Sequence, residues 1–204
     1  MIGNSKIGSR ARLTDAQIRS VIHSQIIPSI VADSPSRIVD EMGICCGDAR
    51  VDIAVINGKL HGFEIKSEAD TLVRLQSQIS AYNQVFDTMT IICGENHLDS
   101  IIKIIPDWWG IYSAKINFRK VELTKFRCSE INQGVSGLAL AQLLWKSELI
   151  ELLAEAGIKK GISQKRCLEL WQIAAKTFSI SALQFKVREM LKVREHWRLD
   201  LQQT

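Results

Sequence analysis

Three charged residues, Asp52, Glu64 and Lys66, stand in segments whose neighbours predict buried β-strands. Asp52 precedes the apolar run 53–56, which is typical of a strand buried on both faces. Glu64 and Lys66 alternate with two hydrophobic residues, so a strand would place the acid and the amine on one face. Burying a charge without a partner is costly. The three residues therefore indicate a polar site with a chemical role.

The loop between the two predicted strands decides whether the acids meet. A two-residue turn at 57–58 would pair Asp52 with Phe63 and separate the two carboxylates. A three-residue loop at 57–59, with its glycine in the left-handed conformation, pairs Asp52 with Glu64, because directly opposed residues of an antiparallel pair point to one side. We predict the three-residue loop.

Paired carboxylates suggest metal chemistry. Two neighbouring carboxylates repel, and the pKa of one rises unless a cation intervenes. Their oxygens suit Mg²⁺, which completes its shell with waters and substrate phosphate, polarises a phosphoryl oxygen and lowers the pKa of a bound water. Lys66 would hold that water or stabilise the developing charge. The competing interpretation is structural: Asp52 forms a salt bridge with Arg50 on a solvated sheet face.

A helix follows the predicted hairpin. Apolar residues recur at helical spacing from Asp70 to Phe86, and Ser67 or Asp70 can cap the start of this helix. Residues four apart share one side of a helix. This spacing predicts a polar stripe that begins near the candidate metal site and consists of Asp70, Arg74, Gln78 and Tyr82.

With these motifs the chain resembles the PD-(D/E)XK nuclease superfamily. Asp52 matches the motif aspartate, and 64–66 matches the E-x-K motif. The segment 78–82 is similar to the Q-x-x-x-Y helix motif of the branch that includes bacterial recombination exonucleases. Glu41, ahead of the first core strand, is positioned like the family's upstream glutamate, although Asp48 competes for that role. The residue directly before Asp52 is a valine where the family's motif has a proline, so the chain departs from the motif at this position.

The resemblance implies a fold, a metal and roles for the matching residues. The fold is α/β, with a restriction-endonuclease-like mixed central sheet flanked by helices. The metal is Mg²⁺ (or Mn²⁺). Lys66 assists the attacking water, while Gln78 and Tyr82 shape the site or contact the substrate. Four groups would bind the metal: the carboxylates of Asp52, Glu64 and Glu41 and the carbonyl of Ile65.

The order of predicted elements divides the chain. Residues 1–130 form the nuclease-like core, and residues 138–204, which have helical periodicity and little strand propensity, form an all-helical appendage. Besides the hairpin and the helix after it, the predicted core elements are a helix at 14–30 capped by Thr14 or Asp15, a helix at 97–105, and strands at 88–93, 110–113 and 117–123.

Charge distinguishes the helical appendage. Ten basic and four acidic residues lie between positions 159 and 204, a net charge of +6. This excess suits a phosphate backbone and predicts DNA binding by the basic C-terminal helices. The alternative is a solvated basic helix face. The basic residues are Lys159, Lys160, Lys165, Arg166, Lys176, Lys186, Arg188, Lys192, Arg194 and Arg198.

The composition of the chain indicates where the protein is located in the cell and which partners it can have. The 204 residues are 46% hydrophobic, with a formal net charge of +4. No apolar run approaches the roughly 20 residues of a membrane span, and the N-terminus lacks an apolar signal region. We therefore expect a cytoplasmic protein without a membrane partner. Apolar helix faces in the C-terminal segment could support a homodimer or a larger complex.

These features predict a Mg-dependent deoxyribonuclease that hydrolyses phosphodiester bonds in DNA, in repair, recombination or mobile-element defence. The alternative is a non-catalytic nucleic-acid-binding or complex-assembly module on the same fold. A third possibility is a protein-interaction or immunity component of a mobile element. Cleavage separates the first from the second, and DNA affinity separates the second from the third.

Overall fold

The computed structural model describes residues 12–32, 35–195 and 197. The strands of its sheet are β1 Arg37–Ile44, β2 Ala49–Ile56, β3 Leu60–Lys66, β4 Thr88–Gly94, β5 Gly110–Asn117 and β6 Lys120–Arg127. They form one six-stranded sheet in chain order. β3, β4 and β5 run parallel to one another, and the other neighbouring pairs are antiparallel. The predicted α/β fold with a mixed sheet is confirmed.

Helices cover both faces of the sheet. They are α1 Asp15–Val21, α2 Ile27–Val31, α3 Leu75–Val85, α4 Leu98–Ile104, α5 Gly137–Ala141, α6 Lys146–Glu155, α7 Cys167–Thr177 and α8 Ile180–Val193. A π-helical turn, Ile22–Ile26, joins α1 to α2, and short 3₁₀ turns occur at Cys45–Gly47, Glu95–His97 and Ile162–Gln164. No helix within the described part of the chain is long and apolar enough to cross a membrane.

One face of the sheet is covered by α1 and the π-helical turn. Ile18 and Ile22 pack there against Ile53, Phe63 and other alternate residues of the strands. Thr14 caps α1 as predicted: its hydroxyl accepts from the Gln17 amide at 3.4 Å, and the Gln17 side chain accepts from the Thr14 amide at 3.0 Å. The predicted N-terminal helix therefore exists, interrupted by its π-helical turn.

The opposite face carries α3, α4 and the C-terminal helices. Ala54, Ile56 and Tyr82 share one hydrophobic cluster with residues of the helical segment such as Leu149 and Leu183. The strands end at residue 127 and α5 begins at 137, close to the predicted division at 130 and 138. Because the cluster crosses that division, the division marks a change of secondary structure within continuous packing.

Several element bounds differ from expectation. Residues 37–44 form an edge strand, an element that we did not predict. The helix predicted from Asp70 begins at Leu75, because the Asp70 carboxylate accepts from the amide and hydroxyl of Ser67, both at 2.7 Å, in a separate turn. β5 and β6 are longer than predicted, and their turn is only residues 118–119.

Candidate functional site

The sheet opens between β2 and β3 at Asp52. Ile56 pairs with Leu60, which confirms the three-residue loop, but Gly58 does not adopt the left-handed conformation that we predicted for it. The paired register ends where Ile53 meets Phe63. A continued ladder would join Ile65 to Val51, but the Ile65 amide instead donates to the Asp52 carboxylate at 2.6 Å. Beyond this point β2 continues with β1 alone.

This separation of strands forms a cleft with a volume of about 1190 Å³. Asp52 and Glu64 both line it, although the predicted Asp52–Glu64 pair is not part of the ladder, which ends one residue earlier. Its remaining walls come from β1, from the beginning of α3 and from the helical segment. We call it the carboxylate cleft, and its lining includes Arg37, Asp40, Glu41, Asp48, Arg50, Asp52, Glu64, Ile65, Arg74, Gln78, Trp145, Arg194 and Trp197.

Glu64 is the most deeply buried acid of the cleft, with only 2% of its surface exposed. Its Oε1 accepts from Lys66 Nζ at 2.5 Å and from Gln78 Nε2 at 2.8 Å, and its Oε2 lies 2.7 Å from the Tyr82 hydroxyl. Lys66 also donates to Gln78 Oε1 at 3.0 Å. Four of the predicted site residues therefore form one hydrogen-bonded group, held by β3 and α3.

Tyr82 ties the two separated strands together from α3. Its hydroxyl lies 2.7 Å from Glu64 on β3 and 2.8 Å from the Arg50 carbonyl on β2, so its single proton serves one of these acceptors at a time. Burial and the Glu64 charge raise the pKa of Tyr82, which keeps the hydroxyl a neutral donor. Its ring stacks on buried Trp109, with ring centroids 5.9 Å apart.

Asp52 lies at the β2 side of the cleft and has a raised pKa. Burial, followed by the charge of Glu64, raises the pKa of Asp52 to about 7, although the Ile65 amide and Arg19 act in the opposite direction. This is the behaviour expected of two carboxylates that share one site. A cation placed between them would favour the ionised form of Asp52.

Arg19, on α1, is a member of the site that sequence reasoning missed. Its guanidinium donates to the Asp52 carbonyl at 2.6 Å, to the Asp52 carboxylate at 3.1 Å and to Glu41 at 2.7 Å. Burial alone would lower the pKa of Arg19, but the carboxylates of Asp15, Asp52 and Glu41 raise it. The indication that the sequence offered is that Arg19 directly follows Ile18, an apolar residue of the predicted N-terminal helix.

Glu41 precedes the strand of Asp52 as predicted, but it lies inside an additional edge strand, β1, between the residues that pair with Ile53 and Val51. Its φ of 57° interrupts the pairing there. Its carboxylate bridges Arg19 and Arg50, the latter at 3.0 Å. The alternative prediction, a salt bridge between Asp52 and Arg50, is therefore wrong. Asp52 pairs with Arg19, and Arg50 pairs with Glu41. Asp48 lies on the margin of the same cleft.

The predicted polar stripe divides at the start of α3. Gln78 and Tyr82 lie on the helix and join the site, and Gln78 donates to Tyr82 at 3.3 Å. Arg74 precedes the helix, is exposed and lines the cleft. Asp70 lies outside the helix, in its turn with Ser67.

The donor set can be tested against a divalent cation by counting lone pairs. A carboxylate offers about four lone-pair positions; Glu64 uses three with its donors and Asp52 uses two. The carbonyl of Ile65 faces the same gap as its amide, because both groups of a strand residue point to one side. This oxygen-only set fits Mg²⁺ or Mn²⁺. Among the described residues, no group of three or more His, Cys, Asp or Glu side chains is arranged to hold a metal.

The helical segment supplies the far wall of the carboxylate cleft. Arg194 stacks between Trp145 and Trp197, with its guanidinium carbon 4.5 Å and 4.8 Å from the two ring centroids. It also donates to Glu148 at 2.5 Å and to the Leu143 carbonyl at 2.8 Å. The C-terminal segment thus completes the cleft.

Five of the ten basic residues predicted to bind DNA are engaged within the protein. Arg194, Arg188, Lys186, Lys165 and Lys192 each form an ion pair with an acidic side chain. Arg198 lies outside the described residues. The four that are exposed and have no ion pair within the described structure are Lys159, Lys160, Arg166 and Lys176.

Comparison with known proteins adds a family to this geometry. The profile described as Bacteriophage P4 protein cII matches residues 11–200. A relative, Protein cII of Enterobacteria phage P4, is 29% identical over 164 residues, which cover 80% of this chain and 61% of the relative's length. No solved structure matches the chain. Because the profile matches nearly all of its length, this chain belongs to the bacteriophage P4 protein cII family.

Proposed function

We propose that this protein is a metal-dependent nuclease of the PD-(D/E)XK type, which hydrolyses phosphodiester bonds in DNA. One observation carries the proposal: Asp52, Glu64 and Gln78 line one cleft that opens where two core strands separate, and Lys66 is hydrogen-bonded to both Glu64 and Gln78. The phage origin of the named relative supports a mobile-element setting more than repair or recombination.

Asp52, Glu64 and the Ile65 carbonyl would hold Mg²⁺ or Mn²⁺. Glu41 reaches Asp52 only through Arg19, so it would act at the edge of the ion's site. When bound, the ion would supply a polarised phosphoryl oxygen and a more acidic water.

The chain's own residues then have separate tasks. Gln78 and Tyr82 fix the orientation of Glu64, since together they donate to both of its oxygens. Lys66, whose side chain is 10% exposed, presents an ammonium next to Glu64 and can hold the attacking water or stabilise the charge that develops on the phosphate. Exposed Arg37 and Arg74 can contact phosphates along the cleft.

Arg19 favours a second candidate function. Its guanidinium already supplies a positive charge to Asp52, so this acid has a partner without a metal. A protein that keeps this arrangement would bind nucleic acid, or assemble with other proteins, without cutting DNA. The two candidates differ in whether a divalent cation enters the site.

The test measures metal binding and cleavage separately. Nuclease activity predicts that Mn²⁺ or Mg²⁺ raises the melting temperature, and that the metal-loaded protein nicks or degrades DNA. Asp52→Asn should abolish both effects, and Lys66→Met should abolish cleavage while metal binding persists. Asp99→Asn and Lys103→Met, at exposed positions on α4, are matched controls. Cleavage that survives both site substitutions would overturn the proposal, whereas DNA binding without a metal response would support the second candidate.

A further inference from the structure

The β5–β6 hairpin extends past the edge of the sheet that carries the candidate site. Lys66 on β3, Cys93 on β4 and Ser113 on β5 lie in one row of the parallel strands. Phe118 follows Ser113 by five residues, so the hairpin tip lies about 16 Å beyond that row at the usual rise of a strand. β5 is two strands from β3, a lateral offset of about 10 Å. The tip therefore projects past the end of the sheet at which Lys66 lies, roughly 20 Å from that residue.

The residues at the tip are unusual for the turn they form. Asn117 pairs with Lys120, which leaves Phe118 and Arg119 as a two-residue turn with φ angles of 45° and 66°. Such a turn favours Asn-Gly, because other residues adopt positive φ at a cost. Phe118 is 94% exposed and adds nothing to the core. A costly turn whose large side chains make no internal contribution suggests that they contact a partner.

The charge of the hairpin indicates what that partner is. Residues 115–127 contain five basic side chains and one acidic one, a formal charge of +4. Lys115 pairs with Glu95 and Arg127 with Asp107, so the hairpin cations without an ion pair in the described structure are Arg119, Lys120 and Lys125. The acid, Glu122, accepts from the Asn117 side chain at 2.7 Å. No carboxylate lies within ion-pair distance of Arg119 or Lys120 in the described structure. An apolar tip next to two cations without an ion pair suits a duplex, whose phosphates flank stacked bases.

We propose that the hairpin tip binds double-stranded DNA beside the carboxylate cleft, with Phe118 inserted between neighbouring base pairs and Arg119 and Lys120 on the flanking phosphates. The inference deepens the proposed function and rests on it for the identity of the substrate. The proposed nuclease would then act on double-stranded DNA in which Phe118 unstacks two neighbouring base pairs at a fixed distance from the carboxylate cleft.

Binding is measured in EDTA, so that cleavage plays no part. A short duplex with a fluorescent end label reports affinity, and the same duplex with internal 2-aminopurine reports unstacking by increased emission. The intact chain should bind and raise the emission. Phe118→Ala should weaken binding about tenfold, the loss of one base–aromatic contact, and remove the emission change. Arg119→Gln should reduce the salt dependence of binding by about one phosphate contact.

Two further variants separate contact with DNA from a role in folding. Phe126→Ala removes another exposed phenylalanine of β6, and it should leave the affinity unchanged. Replacing the tip by Asn-Gly (F118N together with R119G) should raise the melting temperature, because this pair suits the turn, and should nevertheless weaken DNA binding. A purely structural tip would not lose DNA affinity while the fold gains stability.

The outcomes distinguish this inference from the proposed nuclease. Asp99→Asn, at an exposed position on α4, should bind the duplex like the unaltered chain. If DNA is bound through Phe118 in EDTA but is never cut when Mg²⁺ is added, the nuclease proposal fails and this one stands. Equal affinity and equal emission for Phe118→Ala and the unaltered chain would overturn the inference. So would Phe118-dependent binding to phosphatidylserine vesicles in place of DNA, which would identify a membrane surface as the partner.

Discussion

Arg19 donates to Asp52 twice, to its backbone carbonyl at 2.6 Å and to its carboxylate at 3.1 Å. A residue of α1 thus reaches the point where β2 separates from β3. Without Arg19 the Asp52 carbonyl would lose this donor, and the Asp52 carboxylate would keep the Ile65 amide as its hydrogen-bond donor. The relationship explains how two acids coexist in one cleft, and it defines what a metal must compete with.

Removing this guanidinium should make the site more dependent on metal. We expect Arg19→Gln to lower the free energy of unfolding by about 2 kcal/mol in EDTA, because it removes charged hydrogen bonds to Asp52 and Glu41. Added Mg²⁺ or Mn²⁺ should raise its melting temperature more than that of the unaltered protein. Thermal unfolding with and without metal is the measurement. Arg166→Gln, at an exposed position, is the control, and equal metal responses in all three proteins would contradict the prediction.

The titration of Asp52 should be visible in stability. The folded protein keeps a proton on Asp52 up to a pKa of about 7, whereas the unfolded chain loses it near 3.8. The folded state binds more protons in that interval, so its free energy of unfolding falls as pH rises from about 4 to 7.

Asp52→Asn cannot titrate and should lose that part of the fall. Its advantage over the unaltered protein should approach an upper limit of about 4 kcal/mol above pH 7 and vanish below about pH 4. Urea unfolding in EDTA across this range measures the difference. Asp99→Asn should follow the unaltered protein, and parallel pH profiles for the two aspartate variants would refute the assignment of the pKa.

The Tyr82 hydroxyl should contribute to both folding and the orientation of Glu64. Tyr82→Phe leaves buried acceptors on Glu64 and Arg50 with one donor fewer, so we expect a loss of about 1–3 kcal/mol in the free energy of unfolding. Tyr112→Phe, at the other tyrosine of the chain, provides the matched control and should cost less.

A double-mutant cycle of Tyr82→Phe with Glu64→Gln then measures the interaction itself. We expect a coupling energy of about 1 kcal/mol, since the residues are in direct contact. Strictly additive effects would show that the hydroxyl acts mainly on the Arg50 carbonyl.

The basic residues of α8 should divide into structural and exposed ones. Buried Asp87 accepts from the Leu60 amide at 2.7 Å, from Gln184 at 2.6 Å and from Arg188 at 3.1 Å, which joins α8 to the sheet. Arg188→Met should lower the free energy of unfolding by about 3 kcal/mol, because it leaves this carboxylate partly uncompensated.

Lys186→Met is the comparison on the same helix. Its partner Glu155 is 49% exposed in the side chain, so the loss should stay below about 1 kcal/mol. Urea unfolding of both variants, with hydrogen exchange of α8, tests the contrast. Equal destabilisation would contradict the distinction between a buried and an exposed ion pair.

Local patterns predicted much of the site because they act over short distances. The β2–β3 register follows from alternation and loop length, and the Gln78–Tyr82 spacing follows from one helical turn. Arg19 was missed because its contacts with Asp52 span 33 positions of the chain. β1 was missed because positive φ at Glu41 breaks the alternation that identifies a strand.

Charge counting was less informative for the same reason. The net positive charge of residues 159–204 counts every cation as available to bind DNA. In the folded protein, however, Arg194 pairs with Glu148 and Arg188 pairs with Asp87. The start of α3 shows a similar limit, since Asp70 has the composition of a helix cap but its carboxylate is used by Ser67. Sequence spacing describes what a side chain can reach locally, and packing decides which partner it takes.

The chain-order arrangement of the sheet has a consequence for synthesis. All six strands have left the ribosome once residue 127 and the exit-tunnel length behind it are complete, and each strand pairs with its predecessor, so the sheet can assemble as the chain emerges. The apolar side of α3 then stays uncovered until the helices that carry Leu149 and Leu183 have been synthesised. We expect a nascent chain stalled before α5 to expose this apolar surface and to bind chaperones. Its carboxylate cleft would still lack the wall that the C-terminal helices supply.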